Sequence, residues 1–251
     1  MGTPAPAPAS TATAPATHLR EMSFWQRWLH HPESLRVHRA VFQVHLWLGM
    51  LAALYVTVMS LSGSMLVFRD RLESSAAPNS ARFRAVEWIV NFHENLLSGD
   101  VGRRLNGVGA IAFFLICLTG AVVWWPGIAH WRRSLTINWR SSLARVNWDL
   151  HNTLGAYAFL FLAVWGLSGI YFAFPELSYP LVDADPTNTS KFFRFANAAL
   201  GWFTNLHFGR FSWATEALWT LIGMVPAVLV FSGVFMCCHR IFIRKGAPLP
   251  R

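Results

Sequence analysis

Charged side chains are scarce in this sequence of 251 residues, because Asp, Glu, Lys and Arg make up only 13% of it. A soluble domain usually carries about 25% charged and 45–50% apolar residues, whereas hydrophobic residues reach 54% here. Acidic residues are especially few, so the formal net charge is +9. The arginines lie at the ends of apolar runs and form no basic face, which excludes a nucleic-acid partner. The composition predicts an integral membrane protein.

Cysteine is also rare, and Cys117, Cys237 and Cys238 lie inside or at the end of apolar runs without C-x-x-C spacing. They are expected to be packing residues rather than a disulfide framework or a metal site. The sequence contains no nucleophile–base arrangement, no Gly-rich phosphate loop and no flavin or nicotinamide fingerprint. Electrons for a redox reaction would therefore come from a quinol, a soluble donor or another protein.

Four apolar runs are long enough to cross a bilayer, which takes about 20 apolar residues. They cover residues 41–68, 105–125, 151–174 and 213–238. Each is expected to be a helix, because an open sheet leaves backbone groups unpaired in lipid. The predicted fold is an all-α integral membrane protein, with a bundle of four transmembrane helices within residues 41–240.

The segments around the spans are polar or basic. Residues 1–17 are an Ala/Pro/Thr tail that we expect to be disordered and that lacks the pattern of a signal peptide. Residues 18–40 are predicted to form a basic cytoplasmic or interfacial leader, and residues 241–251 a basic cytoplasmic tail. Arginines close to the spans on this side place both termini in the cytoplasm. On the far side, residues 69–104 contain AVEWIVNFHENLL, a predicted surface helix, and residues 175–212 contain the loop signal DADPTNTS.

A repeat runs through the membrane segments. Residues 44–49 read VHLWLG and residues 150–155 read LHNTLG, so His45 and His151 stand 106 positions apart. Three further matches keep that spacing: Gly49 with Gly155, Ser62-Gly63 with Ser168-Gly169, and Phe68 with Phe174. More loosely, FHENLL around His93 matches LHFGRF around His207, and LTGAVVWW matches FSGVFMCC. We interpret the chain as two tandem helical hairpins, residues 38–127 and 145–240, related by a pseudo-twofold axis along the membrane normal.

The symmetry places four histidines in two pairs. His45 and His151 are expected at one depth near the cytoplasmic face, and His93 and His207 at one depth on the outer side. One neutral histidine from each of two helices at one level is the arrangement that holds a haem iron from both faces, so the pairs predict two b-type haems. Any single interfacial histidine has a simpler interpretation as a snorkelling or capping residue.

The remaining histidines are weaker candidates. His239 is the reserve ligand, although it also suits a cation at a helix C-terminus, and His130 has no partner in the repeat. The histidines of the leader are expected to be solvated: His18, His30, His31 and His38.

Small and aromatic residues recur within the spans. The glycines either allow close helix packing or leave room for a flat macrocycle: Gly49, Gly63, Gly120, Gly155, Gly169 and Gly233. The aromatic residues either line a haem pocket or face lipid: Phe113, Phe114, Phe159, Phe161 and Trp165. As one continuous helix, residues 93–125 would be about 48 Å long. The outer pair is therefore expected at or above the membrane surface unless the chain breaks at Gly99-Asp100 or Gly209.

Three phrases together resemble the PepSY-associated transmembrane proteins over residues 38–240: HLWLGMLAALYVTVMSLSGSMLVFRDRLE, FHENLLSGDVGRRLNGVGAIAFFLICLTGAVVWWPG and LHNTLGAYAFLFLAVWGLSGIYFAFPE. The resemblance implies a multi-pass protein of the bacterial inner membrane, tied to iron uptake, with two haems held by His45, His151, His93 and His207. The implied activity is that of an oxidoreductase passing electrons from the cytoplasm to a periplasmic acceptor, a ferric siderophore or other Fe(III) chelate. Larger members carry a periplasmic PepSY module after the first helix, and the connection here is too short for one.

Two alternatives stay open from the sequence. The chain can be a b-type cytochrome subunit that serves a partner enzyme, a reading that the short outer connections favour. It can also be a haem-free transport or scaffold subunit of an iron-uptake system with structural histidines. The sequence leaves the electron donor and a possible homodimer undetermined.

Overall fold

The computed structural model describes residues 22–177, 190–209 and 211–244, with side chains up to residue 241. The predictions for the tail at 1–17, for the start of the leader at 18–21, for the loop at 183–189 and for the end of the basic tail lie outside these residues. Within them the chain is helical and forms no strand. Eight α-helices follow one another: α1 (Phe24–His30), α2 (Arg36–Leu66), α3 (Arg69–Ser74), α4 (Ala81–Asn95), α5 (Gly99–Trp124), α6 (Leu143–Ala173), α7 (Lys191–Phe208) and α8 (Trp213–Arg244). Single 3-10 turns lie at Pro32–Ser34, Arg133–Leu135 and Pro175–Leu177.

Helices α2, α5, α6 and α8 are each long and apolar enough to cross a membrane, which confirms the predicted all-α membrane fold. All four begin or end beyond the predicted runs. Helix α2, for example, starts at Arg36 instead of residue 41, and α6 at Leu143 instead of residue 151. Hydropathy detects only the part of a helix that suits hydrocarbon, whereas the backbone ladder continues into the polar flanks.

A short helix directly precedes the second span of each half. The surface helix predicted in AVEWIVNFHENLL exists as α4, and α7 is a counterpart that the loop signal before it concealed. The order long helix, short helix, long helix therefore occurs twice, as α2–α4–α5 and α6–α7–α8, with the additional short helix α3 in the first half.

A serine hydroxyl fastens α2 to α8. Ser60 Oγ donates to the Gly223 carbonyl at 2.5 Å and accepts from the Ala227 amide at 3.2 Å. The Gly223 carbonyl and the Ala227 amide would otherwise face each other within one turn of α8. They lie beside Pro226, which has no backbone N–H to donate. A side chain inserted into a helical ladder at a proline satisfies polar groups that lipid cannot.

The leader corrects one expectation. Helix α1 folds back towards the bundle, where the Trp125 indole donates to the Trp28 carbonyl at 3.1 Å. His38 lies beside Trp28 with ring centres 6.4 Å apart, and its Nε2 is buried without a hydrogen bond within the described chain. The prediction that His38 is solvated is therefore wrong, because its helix continues into the bundle. His30 and His31 are exposed as expected.

Candidate functional site

His45 and His151 come together between the two long helices that begin the halves. His45 is on α2 and His151 on α6, and their ring centres are 6.5 Å apart with the planes 83° from parallel. Two imidazoles bound to one metal ion by bonds of about 2.0 Å, with each ring centre roughly 1.1 Å beyond its nitrogen, have centres about 6.2 Å apart. The observed separation is therefore suited to one metal ion between the rings.

The Nδ1 atom of each of these rings is bound to the helix opposite it in the same half. His45 Nδ1 lies 3.2 Å from both the Ile116 carbonyl and Thr119 Oγ1, and His151 Nδ1 lies 2.8 Å from Ser232 Oγ. A carbonyl oxygen can only accept, so the proton of His45 is on Nδ1.

His93 and His207 repeat this arrangement from the short helices. His93, near the end of α4, has its Nδ1 2.8 Å from Ser62 Oγ. His207, near the end of α7, has its Nδ1 2.6 Å from Ser168 Oγ.

The hydroxyls themselves decide which nitrogen carries the proton. Each one donates to a carbonyl of its own helix, at 2.7–3.0 Å. A hydroxyl has a single hydrogen, so one that donates to its helix carbonyl accepts from the histidine Nδ1–H. This arrangement of hydrogen bonds corresponds to the tautomer with a bare Nε2 in all four histidines, and no Nε2 of the four is hydrogen-bonded to the described residues. A neutral imidazole with a bare Nε2 is the form that ligates a metal.

The four hydroxyls share a sequence signal. Each stands directly before a glycine, and every span holds one such dipeptide: Ser62-Gly63, Thr119-Gly120, Ser168-Gly169 and Ser232-Gly233. All four dipeptides lie within the matched phrases of the repeat, from which no role for their hydroxyls was predicted. A hydroxyl-glycine pair recurring once per span is the signal that would have identified these partners.

The glycines explain how the rings fit. A Cβ added at Gly63 would lie 3.0 Å from His93 Cε1, and one at Gly120 would lie 3.0 Å from His45 Cε1. At Gly233 the corresponding distance to His151 Cε1 is 3.5 Å. In these three dipeptides the hydroxyl holds the ring and the glycine beside it leaves room for the ring's Cε1, whereas a Cβ at Gly169 would instead meet Ala110 Cβ at 3.1 Å.

Side chains from the spans also fix the ends of the short helices. Asn106 Nδ2 donates to the His93 carbonyl at 2.8 Å, and Asn106 Oδ1 accepts from the Tyr55 hydroxyl at 2.7 Å. In the second half two indole N–H groups form the corresponding hydrogen bonds. Trp165 donates to the His207 carbonyl at 3.2 Å, and Trp219 donates to the Leu206 carbonyl. These bonds satisfy free carbonyls at helix C-termini and restrain the helix turn that carries each histidine.

The short helices reach this position because the chain breaks. Leu96 and Leu97 have φ values of 52° and 58° between α4 and α5, and Gly209 has a φ of 67° after α7. The breaks are those named as the exception in the sequence analysis, within a few residues. His93 therefore lies beside Ser62, inside the last turns of α2, rather than above the end of the span.

Burial controls the charge of the His93/His207 pair. It lowers the pKa of His93 to about 4, and burial together with the nearby His93 lowers the pKa of His207 to about 3. Desolvation penalises the imidazolium form. Both rings are therefore neutral at physiological pH.

Each pair lines its own cavity. The His45/His151 cavity has a volume of about 1530 Å³ and the His93/His207 cavity about 440 Å³. The cavities meet, because Val56, Phe113 and Pro226 line both. All six glycines that the sequence analysis singled out line one cavity or the other: Gly49, Gly63, Gly120, Gly155, Gly169 and Gly233.

The other candidates divide clearly. His239 lines the His45/His151 cavity, with its ring centre 5.8 Å from that of Phe235, whereas His130 is exposed and lines neither cavity. Among the predicted aromatics, Phe113, Phe159 and Trp165 are cavity residues, and Phe161 instead packs on Trp219. The described residues contain no group of three or more His, Cys, Asp or Glu side chains that could hold a bare metal ion. Two ligands per site suit a metal whose other positions are filled by a macrocycle.

Comparison with known proteins gives one match. The family model described as the PepSY-associated TM region matches residues 76–192, which include His93 and His151. No curated protein and no solved structure matches the chain.

Proposed function

We propose that this chain, which matches the family model of the PepSY-associated TM region over residues 76–192, binds two b-type haems and carries electrons across the membrane to an Fe(III) chelate. The observation that carries this proposal is the His45/His151 pair, whose ring centres are 6.5 Å apart. In both pairs the Nδ1 protons are donated to hydroxyls, so the Nε2 atoms are free to ligate.

The site residues fit a haem in three further respects. The cavity walls are mostly apolar and aromatic, glycines stand where the rings approach the helices, and each histidine has a hydrogen-bonded partner that fixes its orientation. His45 and His151 would hold one haem, and His93 and His207 the other. A bound haem supplies a one-electron change at iron within a medium of low polarity.

The chain's own residues provide the route between the sites. Along α2, the level of Ser62 lies 17 residues from His45, which is about 25 Å of helix. The two cavities shorten that gap because they share a wall at Val56, Phe113 and Pro226. Phe113 offers an aromatic ring in this wall, and the surrounding apolar side chains exclude water from the route.

The direction of transfer follows from charge. Arg132, Arg133, Arg140 and Arg145 lie in or directly after the connection between α5 and α6, at the His45/His151 end of the bundle. By the positive-inside rule this end is cytoplasmic, with both termini on the same side of the inner membrane. The His93/His207 cavity would then deliver electrons to a periplasmic acceptor. A ferric siderophore suits this role, because hard oxygen ligands hold Fe(III) far better than Fe(II).

The test begins with optical spectra of the detergent-purified protein before and after dithionite, with a pyridine haemochrome assay. Wild-type protein is expected to hold two low-spin b haems per chain and His151→Ala one, with its helices intact by circular dichroism. The matched control is His130→Ala, an exposed histidine outside both cavities, which should keep both haems. Full haem content in the His151→Ala protein would overturn the assignment.

The acceptor is tested separately. The dithionite-reduced, desalted protein is mixed with ferrioxamine, and reoxidation of the haem bands is followed by stopped flow. Reoxidation that depends on the chelate concentration is expected. Two haems without such reoxidation would instead favour a cytochrome subunit that passes electrons to a partner enzyme.

A further inference from the structure

Basic side chains form one end of the His45/His151 cavity. Arg145 at the start of α6 and Arg240 at the end of α8 both line it, together with His239. Among the side chains that the structure describes, which end at residue 241, no other Lys or Arg lines this cavity. We propose that Arg145 and Arg240 form a carboxylate-binding end of the cavity, which holds the two propionates of the haem ligated by His45 and His151. This inference rests on the proposed function.

Depth along the helices supports the assignment. Arg145 lies six residues before His151 on α6, about 9 Å towards the helix end. Arg240 lies seven residues beyond Gly233 on α8, about 10 Å in the same direction, and Gly233 is the glycine against which the His151 ring lies. The two arginines therefore stand at one level, on the side of the histidines that faces the end of the bundle.

The placement of the histidines decides what those arginines can reach. His45 and His151 lie on different helices, α2 and α6, and would hold a haem between these helices. The two carboxyl arms of haem leave one edge of the ring together. If that edge pointed towards the helix ends, the carboxylates would meet Arg145 and Arg240. If it pointed the other way, they would meet the apolar wall at Val56, Phe113 and Pro226. Burying two carboxylates against an apolar wall is costly, and pairing them with guanidinium groups is favourable.

The charges around this end leave a surplus of positive charge. Arg145 Nε is 2.9 Å from the nearly buried Asp149 carboxylate, which also accepts from the Asn138 amide. One ion pair at Nε leaves the other guanidinium donors of Arg145 available. Arg240 forms no ion pair with a described carboxylate. Asp149 thus cancels one of the two cations, and His239 adds a further donor.

The competing explanation is that Arg240 anchors the helix end to lipid phosphate, as exposed arginines at membrane boundaries do. Haem and haem dimethyl ester separate the two, because the ester lacks the propionate charges and keeps the ring and the iron. The proteins compared are wild type, Arg240→Gln, the conservative Arg240→Lys and a control, Arg133→Gln, whose exposed cation lies in the neighbouring connection and outside the cavity. Each is produced in cells supplied with either haem, and haem loss to apomyoglobin is followed optically.

With haem, Arg240→Gln is expected to speed the release of one of the two haems about ten- to a hundredfold, because a charge-assisted hydrogen bond is lost. Arg240→Lys should release it at a rate between those of wild type and Arg240→Gln, and Arg133→Gln should match wild type. With the dimethyl ester, Arg240→Gln and wild type should release it equally fast. Resonance Raman bands of the propionate bending modes should shift in Arg240→Gln alone.

Each contrary result overturns the inference in a recognisable way. Equal haem loss from Arg240→Gln and Arg133→Gln would make Arg240 a lipid anchor, and faster loss of both haem and ester would make its role structural. Wild-type protein without haem would overturn the proposed function together with this inference. To test Arg145, the double variant R145Q/D149N is used, because Arg145→Gln alone would leave Asp149 buried without its ion pair.

Discussion

The two cavities use the same ring chemistry and build it in different ways. In the larger cavity both histidines belong to the spans themselves, on α2 and α6, and the cavity of about 1530 Å³ opens towards one end of the bundle. In the smaller one, of about 440 Å³, the histidines come from α4 and α7, helices too short to span. The requirement shared by the two is a hydroxyl for Nδ1, whereas the helix that supplies the histidine differs.

The two cavities also differ in what holds their histidines in place and in the charged residues at their rims. The histidines on the short helices depend on bonds from Asn106, Trp165 and Trp219 to stay in place. The smaller cavity is also more polar at its rim, where Arg69, Arg103 and Glu94 line it. Arg69 and Arg103 are already paired there with Glu73 and Asp100. We therefore expect that changes in the surrounding residues affect a haem in the smaller cavity more than a haem in the larger one.

Removing one histidine from each pair is the largest perturbation of this comparison. His45→Ala and His207→Ala should each leave one haem per chain, because a single imidazole does not hold a b-type haem from both faces. Pyridine haemochrome analysis gives the count, and the double variant should hold none. If either single variant lost both haems, the two sites would form one cooperative unit and the comparison would fail.

The hydroxyl partners give the next largest effect, and they differ between the two cavities. Ser168 is the hydroxyl partner of His207 at 2.6 Å, whereas His45 has the Ile116 carbonyl at 3.2 Å beside the Thr119 hydroxyl. Partners of ligating histidines are typically worth about 10–100-fold in metal affinity. Ser168→Ala should weaken haem retention by that amount, and Thr119→Val clearly less, since the Ile116 carbonyl remains. Haem transfer to apomyoglobin measures both, and equal losses would show that the hydroxyls do not act through the rings.

How much of this was predictable depends on the element. The four spans follow from hydropathy, and the pairing of His45 with His151 follows from the spacing of 106 positions. Helix α7 was missed, because a polar loop signal preceded it and an amphipathic surface helix has no long apolar run to mark it. Its match to α4 around His207 was already visible in the repeat.

The hydrogen bonds could not be predicted in the same way. A Ser-Gly pair inside a span is typical of close helix packing, and only the rotation of α2 and α6 about their axes turns Ser62 and Ser168 towards the short helices. The depth of His93 likewise depended on a chain break, which the sequence allowed at Gly99-Asp100 and which begins at Leu96 and Leu97, two leucines with positive φ. Local backbone geometry of this kind is decided by tertiary contacts such as those of Asn106.

Replacing a glycine beside a histidine ring by alanine is a smaller perturbation of the ring. Gly63→Ala and Gly120→Ala each place a Cβ 3.0 Å from a histidine Cε1, so the ring must shift by a few tenths of an ångström. Haem loss should rise by several-fold, a smaller change than loss of a hydroxyl partner. Gly201→Ala on α7 is the control, since nothing lies within 4 Å of its added Cβ and Gly201 lines neither cavity. In a helix, alanine is otherwise favoured over glycine by about 1 kcal/mol, so any weakening must come from the crowded glycine positions. Equal haem loss from Gly201→Ala would contradict this explanation.

Acid is expected to give the smallest effect, and it acts on the smaller cavity. The pKa of His93 is lowered to about 4 and that of His207 to about 3, whereas histidine in an unfolded chain titrates near 6.5. Between these values the unfolded chain takes up protons that the folded chain refuses. The free energy of unfolding therefore falls as the pH drops below about 6.5, and it levels off only below the folded values.

Tm of the detergent-solubilised protein, measured from pH 7 to pH 5, should decrease, and His207→Gln should decrease less because one titrating group has been removed. Low-spin haem bands should persist over the same range in the wild type, since the folded rings stay neutral. A His207→Gln protein whose Tm falls as steeply as that of the wild type would mean that His207 is protonated in the folded state. It would then be unfit as a ligand, and the likeness between the two cavities would be limited to their hydrogen bonds.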